Sequence, residues 1–388
     1  MLTKPRLLTP GPTPLPEEVR LAMAQDMVHH RKPPFKALLA DVQEGLRYLF
    51  QTKNPVMSLT ASGTGAMTAA IYSLFHPGET VLCIEAGKFG ERWAEIGQAA
   101  GLETQILKVE WGKAVAVSDI EAALDANPDI RGVLVQASET STGVLHPIKD
   151  IAALTSRRDV LAVVDGISAV GISPCPMDAW NIDCLLTGSQ KGLMLPPGLA
   201  FVALSDRALA RAKDVDCRNF YFNLIGEYNK TLEHQTLFTP AINLLVGLAE
   251  SLRLFRSFGL ENVYRKQWAL TCMTREAVAA MRLDHLAETD YTWGLTSVML
   301  PPGIDAGELL KIAAADYGVI MAGGQGHLKK NIVRVGHMGH VDYADVTAGI
   351  FALRRAFERL GGYIGSANPL EVGLAAYEQA LEDGPPAL

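Results

Sequence analysis

Two ionisable residues, Asp165 and Lys191, each follow an apolar run of the kind that forms a buried strand. Asp165 ends the segment 160–165, and Lys191 lies in the small-residue segment 187–193. A carboxylate at the end of a buried strand is unfavourable unless a cation faces it, although it could also cap the next helix. A lysine in a closed site loses hydration, which makes its amine nucleophilic. An exposed loop lysine is the ordinary alternative.

A third group is offered by Ser62-Gly63-Thr64, which lies between an apolar run and a helical pattern. Its glycine lets the backbone approach a ligand closely, and the N–H groups of a helix N-terminus suit a phosphate. The spacing matches neither the P-loop nor the dinucleotide fingerprint, so a plain turn is the alternative. Together, the three features ask for one ligand with a phosphate, an aldehyde for Lys191 and a ring nitrogen cation for Asp165. Pyridoxal 5′-phosphate has all three.

Apolar runs alternate with helical patterns along the first two thirds of the chain. The predicted strands cover 56–60, 80–84, 132–136, 160–165, 184–188 and 200–204, and the predicted helices between and before them include 35–50, 90–100 and 148–155. This alternation predicts an α/β fold with a mostly parallel sheet between helices. Helices at 242–258, 261–281, 306–317 and 343–360, strands at 296–300 and 331–334, and a peripheral acidic helix near the end indicate a smaller α+β domain.

The ordered set of motifs resembles the class V, fold-type I pyridoxal-phosphate aminotransferases, in particular the alanine–glyoxylate and serine–glyoxylate (serine–pyruvate) group. The resemblance covers almost the whole chain and is carried by the segments 8–14, 62–66, 139–143, 164–168, 188–192, 196–198 and 333–339. It implies a fold-type I PLP transferase, with a seven-stranded-type sheet in the large domain. We expect an N-terminal arm at 1–18, a large cofactor-binding domain at 19–260 and a small C-terminal domain at 261–388.

The resemblance also implies a role for each matching residue. Lys191 would bond to the cofactor aldehyde and move the proton, and Asp165 would keep the pyridine nitrogen protonated. The other implied cofactor contacts are Ser62, Gly63, Thr64 and Gln190 at the phosphate, Phe89 on the ring face and Thr140 at the phenolic oxygen. Arg334 would bind the substrate carboxylate, a task that suits a bidentate guanidinium, and Gly11 would lie close to the substrate.

A homodimer is implied as well, with the active sites at the subunit interface and the phosphate site completed by the neighbouring subunit. The segment 236–240 matches that loop, and Thr239 is preferred over Thr236 as its contributing residue. The implied activity moves an amino group from a small L-amino acid, alanine or serine, to a 2-oxo acid such as glyoxylate or pyruvate. Two half-reactions that share one cofactor predict ping-pong kinetics.

Several alternatives remain open at this stage. Arg31 either ends a helix in solvent or enters the site, where it would favour aspartate or 2-aminoethylphosphonate as donor. His337 and His340 follow Arg334 and either line the site or belong to the core or surface. A cysteine desulfurase of the same fold needs a reactive cysteine on a mobile loop, a context that Cys217 does not have. A nicotinamide dehydrogenase would need a Gly-x-Gly-x-x-Gly turn, and a non-catalytic partner subunit would bind no cofactor.

Composition limits the other classes of function. The 388 residues are 48% hydrophobic and 20% charged, which excludes disorder as the main state, and the net charge of −7 disfavours nucleic acid. The sequence has no apolar stretch of about 18 residues, so we expect no membrane partner. Pro5 and Pro10 precede any apolar run at the N-terminus, which is not the pattern of a signal peptide. Five scattered cysteines indicate neither disulfides nor a metal site and suit the cytoplasm.

Overall fold

The computed structural model describes residues 4–388, so positions 1–3 of the predicted arm lie outside the described residues. The strands are β1 (Arg6–Leu7), β2 (Val56–Leu59), β3 (Thr80–Glu85), β4 (Glu103–Lys108), β5 (Ile130–Gln136), β6 (Ser138–Glu139), β7 (Val144–Leu145), β8 (Leu161–Asp165), β9 (Cys184–Gly188), β10 (Ala200–Leu204), β11 (Leu295–Met299), β12 (Val319–Ile320), β13 (Ala322–Gly323) and β14 (Ile332–Gly336). The helices are α1 (Glu17–Met23), α2 (Pro33–Phe50), α3 (Gly63–Leu74), α4 (Lys88–Ala99), α5 (Val117–Ala126), α6 (Ile148–Ser156), α7 (Asp206–Asp214), α8 (Leu224–Leu232), α9 (Ile242–Phe258), α10 (Leu260–Ala280), α11 (Ala306–Tyr317), α12 (Tyr343–Arg359) and α13 (Pro369–Asp383), with a short 3₁₀ turn at Gly326–Leu328.

Seven strands form the large sheet in the order β2-β10-β9-β8-β5-β3-β4. The neighbours from β9 to β4 pair in parallel, whereas β10 runs antiparallel to both β2 and β9. The prediction of a mostly parallel sheet in an α/β fold is therefore confirmed. Because parallel strands end at the same edge, β8 and β9 bring their last residues side by side.

The sheet is buried on both faces because successive side chains of a strand point to opposite sides. In β8, Ala162 and Val164 pack with α2, α6 and α9, while Leu161 and Val163 pack with α3, α4, α7 and α8. This arrangement explains why β8, β9 and β10 read as continuous apolar runs rather than as alternating ones.

A three-stranded antiparallel sheet, β11-β14-β13, forms a second centre of packing after α10. Its apolar side chains pack with α10, α11, α12 and α13 in a cluster separate from the two faces of the large sheet. The acidic terminal helix α13 lies against α10, where Gly373 allows close approach to the carbonyl oxygen of Met273. That helix is thus part of the packing rather than simply peripheral.

The N-terminal arm joins these two parts of the molecule. Strand β1 pairs in parallel with β12, and Leu8 is fully buried in the cluster around the small sheet. A few residues later, the Thr13 hydroxyl donates to the carbonyl oxygen of Lys191 at 3.0 Å. The arm therefore carries its own backbone from the small sheet to the end of the large one. Among the described residues, every helix is too short or too polar to span a lipid bilayer.

Candidate active site

Asp165 and Lys191 meet at the carboxyl edge of the large sheet. Asp165 is the last residue of β8, and Lys191 follows the end of the neighbouring parallel strand β9. Both line a cavity of about 310 Å³. The lining consists of Gly11, Pro12, Ser62, Gly63, Thr64, Phe89, Arg92, Ser138, Thr140, Asp165, Ile167, Ser168, Gln190, Lys191 and Pro197.

Lys191 is 8% exposed, and its Nζ donates a hydrogen bond to the carbonyl oxygen of Pro10 in the arm. The pKa of Lys191 is lowered to about 8, mainly by burial; the Asp165 carboxylate opposes this shift, and the Arg334 guanidinium adds to it. A Cβ on Gly11 would lie 2.5 Å from Cδ of Lys191, and the φ of Gly11 is +108°. Only glycine fits this approach of the arm to the lysine without strain.

Asp165 is 4% exposed, and one carboxylate oxygen accepts a hydrogen bond of 2.8 Å from the Ile167 N–H. The pKa of Asp165 is raised to about 6, mainly by burial and also by the Glu139 carboxylate, against the opposing effects of the Ile167 N–H, Lys191 and Arg92. Within the described chain, no cationic side chain forms an ion pair with Asp165 within 4.0 Å. The site therefore holds a buried carboxylate that lacks a direct positive partner.

The N-terminus of α3 faces the same cavity. Ser62 is its N-cap residue, but the Ser62 side chain accepts no capping hydrogen bond, so the hydroxyl is free for a ligand. The Oε1 atom of Gln190 is buried with no hydrogen-bond partner. Thr64 accepts a hydrogen bond of 3.1 Å from Nη1 of Arg92. These residues surround a helix N-terminus whose N–H groups suit an anion.

Arg334 of β14 approaches the site from the small sheet. Its Nε donates to the carbonyl oxygen of Gly323 at 2.8 Å, and its Nη1 donates to that of Thr140 at 2.9 Å. The side chain is 6% exposed, and burial lowers its pKa. Both bonds fix the guanidinium by backbone oxygens, and Arg334 forms no salt bridge with a carboxylate of the described residues, although Glu139 attracts it at longer range. The Thr140 hydroxyl lies 2.7 Å from that of Ser168, at the wall of the cavity.

Three of the expected site residues are outside the cavity lining formed by the described residues: Arg334, which reaches the lining residue Thr140, and two that lie elsewhere in this chain. Arg31 donates through Nη1 to Oε1 of Gln235 and to the carbonyl oxygen of Thr236, both at 3.0 Å. Arg31 and Thr239 are absent from the cavity lining formed by the described residues. His337 is likewise not in the lining; it is fully buried, with its ring nitrogens near Thr296 and Gln267.

Two further residues of the site carried no role in the sequence analysis. Glu139 is fully buried, accepts hydrogen bonds from the N–H groups of Phe89 and Gly90, and so fixes the start of α4. Arg92 lies one turn after Phe89 and reaches Thr64. Arg92 could have been found from its spacing, because it follows Phe89 by three residues and therefore lies on the same face of the helix.

The chain matches the family model described as aminotransferase class-V over residues 7–340. It belongs to the class V aminotransferase family. The resemblance inferred from the motifs is thereby confirmed, as is the expectation of a PLP-dependent transaminase.

Relatives of this class V aminotransferase carry different names. It is 36% identical over 365 residues to the soluble hydrogenase small subunit of Synechococcus sp., covering 93% of this chain and 95% of the relative. It is 34% identical to the serine–glyoxylate aminotransferase of Methylorubrum extorquens, covering 87% of each chain. It is 31% identical to the L-aspartate–glyoxylate aminotransferase of Paracoccus denitrificans, covering 93% of each chain.

Solved structures show the same fold. The ureidoglycine–glyoxylate aminotransferase of Bacillus subtilis matches with a TM-score of 0.91 and 27% identity, over 97% of this chain and 99% of that one. An alanine–glyoxylate aminotransferase from Nostoc sp. matches with a TM-score of 0.87 and 30% identity, over 92% and 96% of the two chains. A cysteine desulfurase from Thermococcus onnurineus matches with a TM-score of 0.73 at 14% identity over 92% and 95%, a likeness of fold alone.

The residues of the cavity fit the pyridoxal 5′-phosphate of this family. Asp165 forms no salt bridge in the described chain, and a protonated ring nitrogen would provide a direct positive partner. The unpartnered Gln190 oxygen, the free Ser62 hydroxyl and the α3 N-terminus form a polar cradle. A Cβ on Gly63 would lie 2.3 Å from Cδ1 of Ile167, so the cradle backbone has no room for a side chain there.

Proposed function

We propose that this class V aminotransferase transfers the amino group of a small L-amino acid, alanine or serine, to a 2-oxo acid such as glyoxylate or pyruvate. When bound, the cofactor supplies an electron sink for the electron pair released at the substrate α-carbon. Lys191 gives a buried amine whose neutral form is accessible near neutral pH. This amine would hold the cofactor through its aldehyde and would take the proton from the substrate α-carbon and return it.

Three other residues, Asp165, Arg334 and Phe89, have roles in this proposal. Asp165 stabilises positive charge on the ring nitrogen from a buried position, where the attraction is stronger than in water. Arg334 binds the α-carboxylate of the substrate, because its guanidinium is fixed by the carbonyl oxygens of Gly323 and Thr140 and retains free donors. Phe89, Thr140 and Ser168 line the cavity, and Phe89 would cover the face of the cofactor ring.

We favour a small donor because the cavity has few cations that could bind a second acidic group of the substrate. Arg334 is committed to one carboxylate, and the cavity lining of the described chain adds only Lys191 and Arg92 as cations. Arg31 is bonded to Gln235 and Thr236 instead. The named serine–glyoxylate relative and the alanine–glyoxylate structure support the same donor class.

Aspartate or 2-aminoethylphosphonate as donor is the second candidate, and one contact favours it. Arg31 is bonded to the carbonyl oxygen of Thr236, in the loop 236–240. In the homodimer that we propose, this loop enters the neighbouring subunit's site through Thr239, and Arg31 would accompany it. The named L-aspartate–glyoxylate relative is consistent with this arrangement.

A desulfurase receives no comparable support. The cavity lining of the described residues contains no cysteine, and Cys272 lies within α10. The fold that the chain shares with a desulfurase is compatible with either reaction. The partner-subunit alternative is compatible with the hydrogenase subunit named among the relatives; a chain with that role only would take up no pyridoxal 5′-phosphate.

The donor classes are separated by steady-state rates with glyoxylate as acceptor. L-alanine, L-serine, L-aspartate and 2-aminoethylphosphonate are compared for the wild-type protein and Arg31→Met. We expect L-alanine or L-serine to have the highest kcat/KM, with no more than about a threefold effect of Arg31→Met. A preference for L-aspartate or the phosphonate that disappears in Arg31→Met would establish the second candidate and refute the first.

A further inference from the structure

Arg92 is a cation of the cavity wall that has no role in the proposal above. Its helix α4 begins at Lys88, and Arg92 follows Phe89 by three residues, so both side chains lie on one face of the helix. The guanidinium carbon lies 5.0 Å from the centre of the Phe89 ring, within the range of a cation–π contact. Nη1 donates to the Thr64 hydroxyl at 3.1 Å. The side chain is thus held between the ring-face residue and the cradle.

Arg92 forms no salt bridge in the described chain, and its positive charge acts only at longer range on the Asp165 carboxylate, whose pKa it lowers. No carboxylate oxygen of the described residues forms an ion pair with Arg92 within the 4.0 Å limit, whereas most of the other partly buried arginines of α-helices have one. Of the two cations in the cavity lining, Lys191 bonds to the cofactor aldehyde in the proposed function. Arg92 is therefore the lining cation left for a phosphate.

A phosphate monoester carries about −1.5 to −2 charges at neutral pH. The N-terminus of α3 offers the equivalent of about half a positive charge, which does not balance it. The Ser62 hydroxyl and the Gln190 side chain are neutral. The cradle lacks a full positive charge unless Arg92 supplies it.

The contact with Thr64 also determines the direction of a hydrogen bond. A threonine hydroxyl has one proton to donate and two lone pairs to accept with. Because Thr64 accepts from Arg92, its proton is available to another acceptor. A phosphate oxygen above the N-terminus of α3 is such an acceptor.

We propose that Arg92 is a phosphate-positioning residue, which supplies the positive charge of the cradle within this chain and holds the Thr64 hydroxyl as a donor to the cofactor phosphate. The inference rests on the cofactor and not on which amino acid is the donor. An error in the proposed donor leaves it unaffected.

The test compares the affinity of the cofactor-free full chain for pyridoxal 5′-phosphate and for pyridoxal, which lacks the phosphate. The variants are Arg92→Met and the matched control Lys88→Met, which removes one positive charge from the same helix at a side chain paired with Glu91. We expect Arg92→Met to raise the Kd of pyridoxal 5′-phosphate about 10- to 100-fold, the range of a lost charge-assisted hydrogen bond. The Kd of pyridoxal should change less than about threefold, and Lys88→Met should change neither.

A second readout is the ³¹P resonance of the bound cofactor. A nearby guanidinium favours the dianion, so its loss in Arg92→Met should raise the pH at which the bound phosphate titrates. Arg92→Lys keeps the charge and should retain a titration close to that of the wild type, even if Arg92→Met folds poorly. Equal losses of affinity for pyridoxal and its phosphate, or an unchanged ³¹P titration in Arg92→Met, would overturn the proposal.

Discussion

Burial sets the protonation of the groups at the centre of the site. Taking Lys191 out of water disfavours its ammonium form and lowers the pKa to about 8. The same effect disfavours the Asp165 carboxylate and raises its pKa to about 6. The two opposite shifts bring both groups closer to neutral pH, where a nucleophilic amine and a charge-stabilising carboxylate are needed.

The pKa of Lys191 leads to a prediction for cofactor uptake. The neutral amine attacks the aldehyde, and the neutral fraction of a lysine rises as the pH rises through its pKa. The rate of pyridoxal 5′-phosphate uptake by the cofactor-free protein should therefore increase with pH and level off above a midpoint near 8. Stopped-flow absorbance measures this rate. Lys191→Ala should bind no cofactor that borohydride can fix, and a midpoint near the ordinary lysine value of 10.5 would contradict the buried position.

The arm is the element that couples the small sheet to Lys191. Its residue Leu8 is buried against the small sheet, while Pro10 and Gly11 contact Lys191. A hydrophobic anchor at one end thus positions the backbone at the other. Loss of that anchor should affect both stability and activity.

We predict that Leu8→Ala lowers the free energy of unfolding by about 2–5 kcal/mol, as expected for a leucine truncated in a core. The kcat should fall in the same variant because the arm no longer holds its place at Lys191. Thermal unfolding and steady-state rates measure the two effects. The control is Leu21→Ala in α1, where the side chain is 58% exposed and the change should stay within about 0.5 kcal/mol. Equal stability of the two variants would show that the arm is not anchored by Leu8.

The elements differ in how far the sequence predicts them. Strands β8 to β10 are predicted within one residue because a doubly covered strand is apolar throughout. Strand β4 was missed since it lies at the edge of the sheet, and its residues are partly or largely exposed. A polar run with two apolar residues gives no strand pattern.

The site shows the same division. Asp165 and Lys191 follow apolar strands, so their meeting at one sheet edge could be predicted from the chain order. The position of Arg31 could not be predicted, because its partners Gln235 and Thr236 are about 200 positions away and carry no pattern. The role of Glu139 could not be predicted for a related reason. Glu139 accepts hydrogen bonds from the backbone N–H groups of Phe89 and Gly90, which surround it only in the folded protein.

At the scale of the whole molecule, we propose a homodimer with shared sites. Aromatic side chains lie next to the loop 236–240: Phe220 is 85% exposed, and Phe238 contacts both Phe220 and Tyr221. Such an exposed patch beside a loop assigned to the neighbouring site suits an interface. Light scattering should give twice the chain mass of 41.8 kDa.

Shared sites predict complementation between two inactive variants. Lys191→Ala lacks the amine, and Thr239→Glu places a negative charge where the neighbouring subunit's phosphate is proposed to lie. In a random mixture, half of the dimers are hybrids with one intact site each, so about a quarter of the wild-type activity should return. Subunits with different affinity tags allow the hybrids to be isolated and assayed. Hybrids without activity, or a fully active Thr239→Glu protein, would contradict a shared site.

The proposed transamination is tested most simply by the visible spectrum of the purified full chain during titration with a single amino donor. We expect a yellow protein whose visible absorbance is lost on addition of L-alanine or L-serine alone and restored by glyoxylate or pyruvate, since the cofactor keeps the amino group between the two half-reactions. A colourless protein that takes up no added pyridoxal 5′-phosphate would contradict the account and favour a non-catalytic partner subunit.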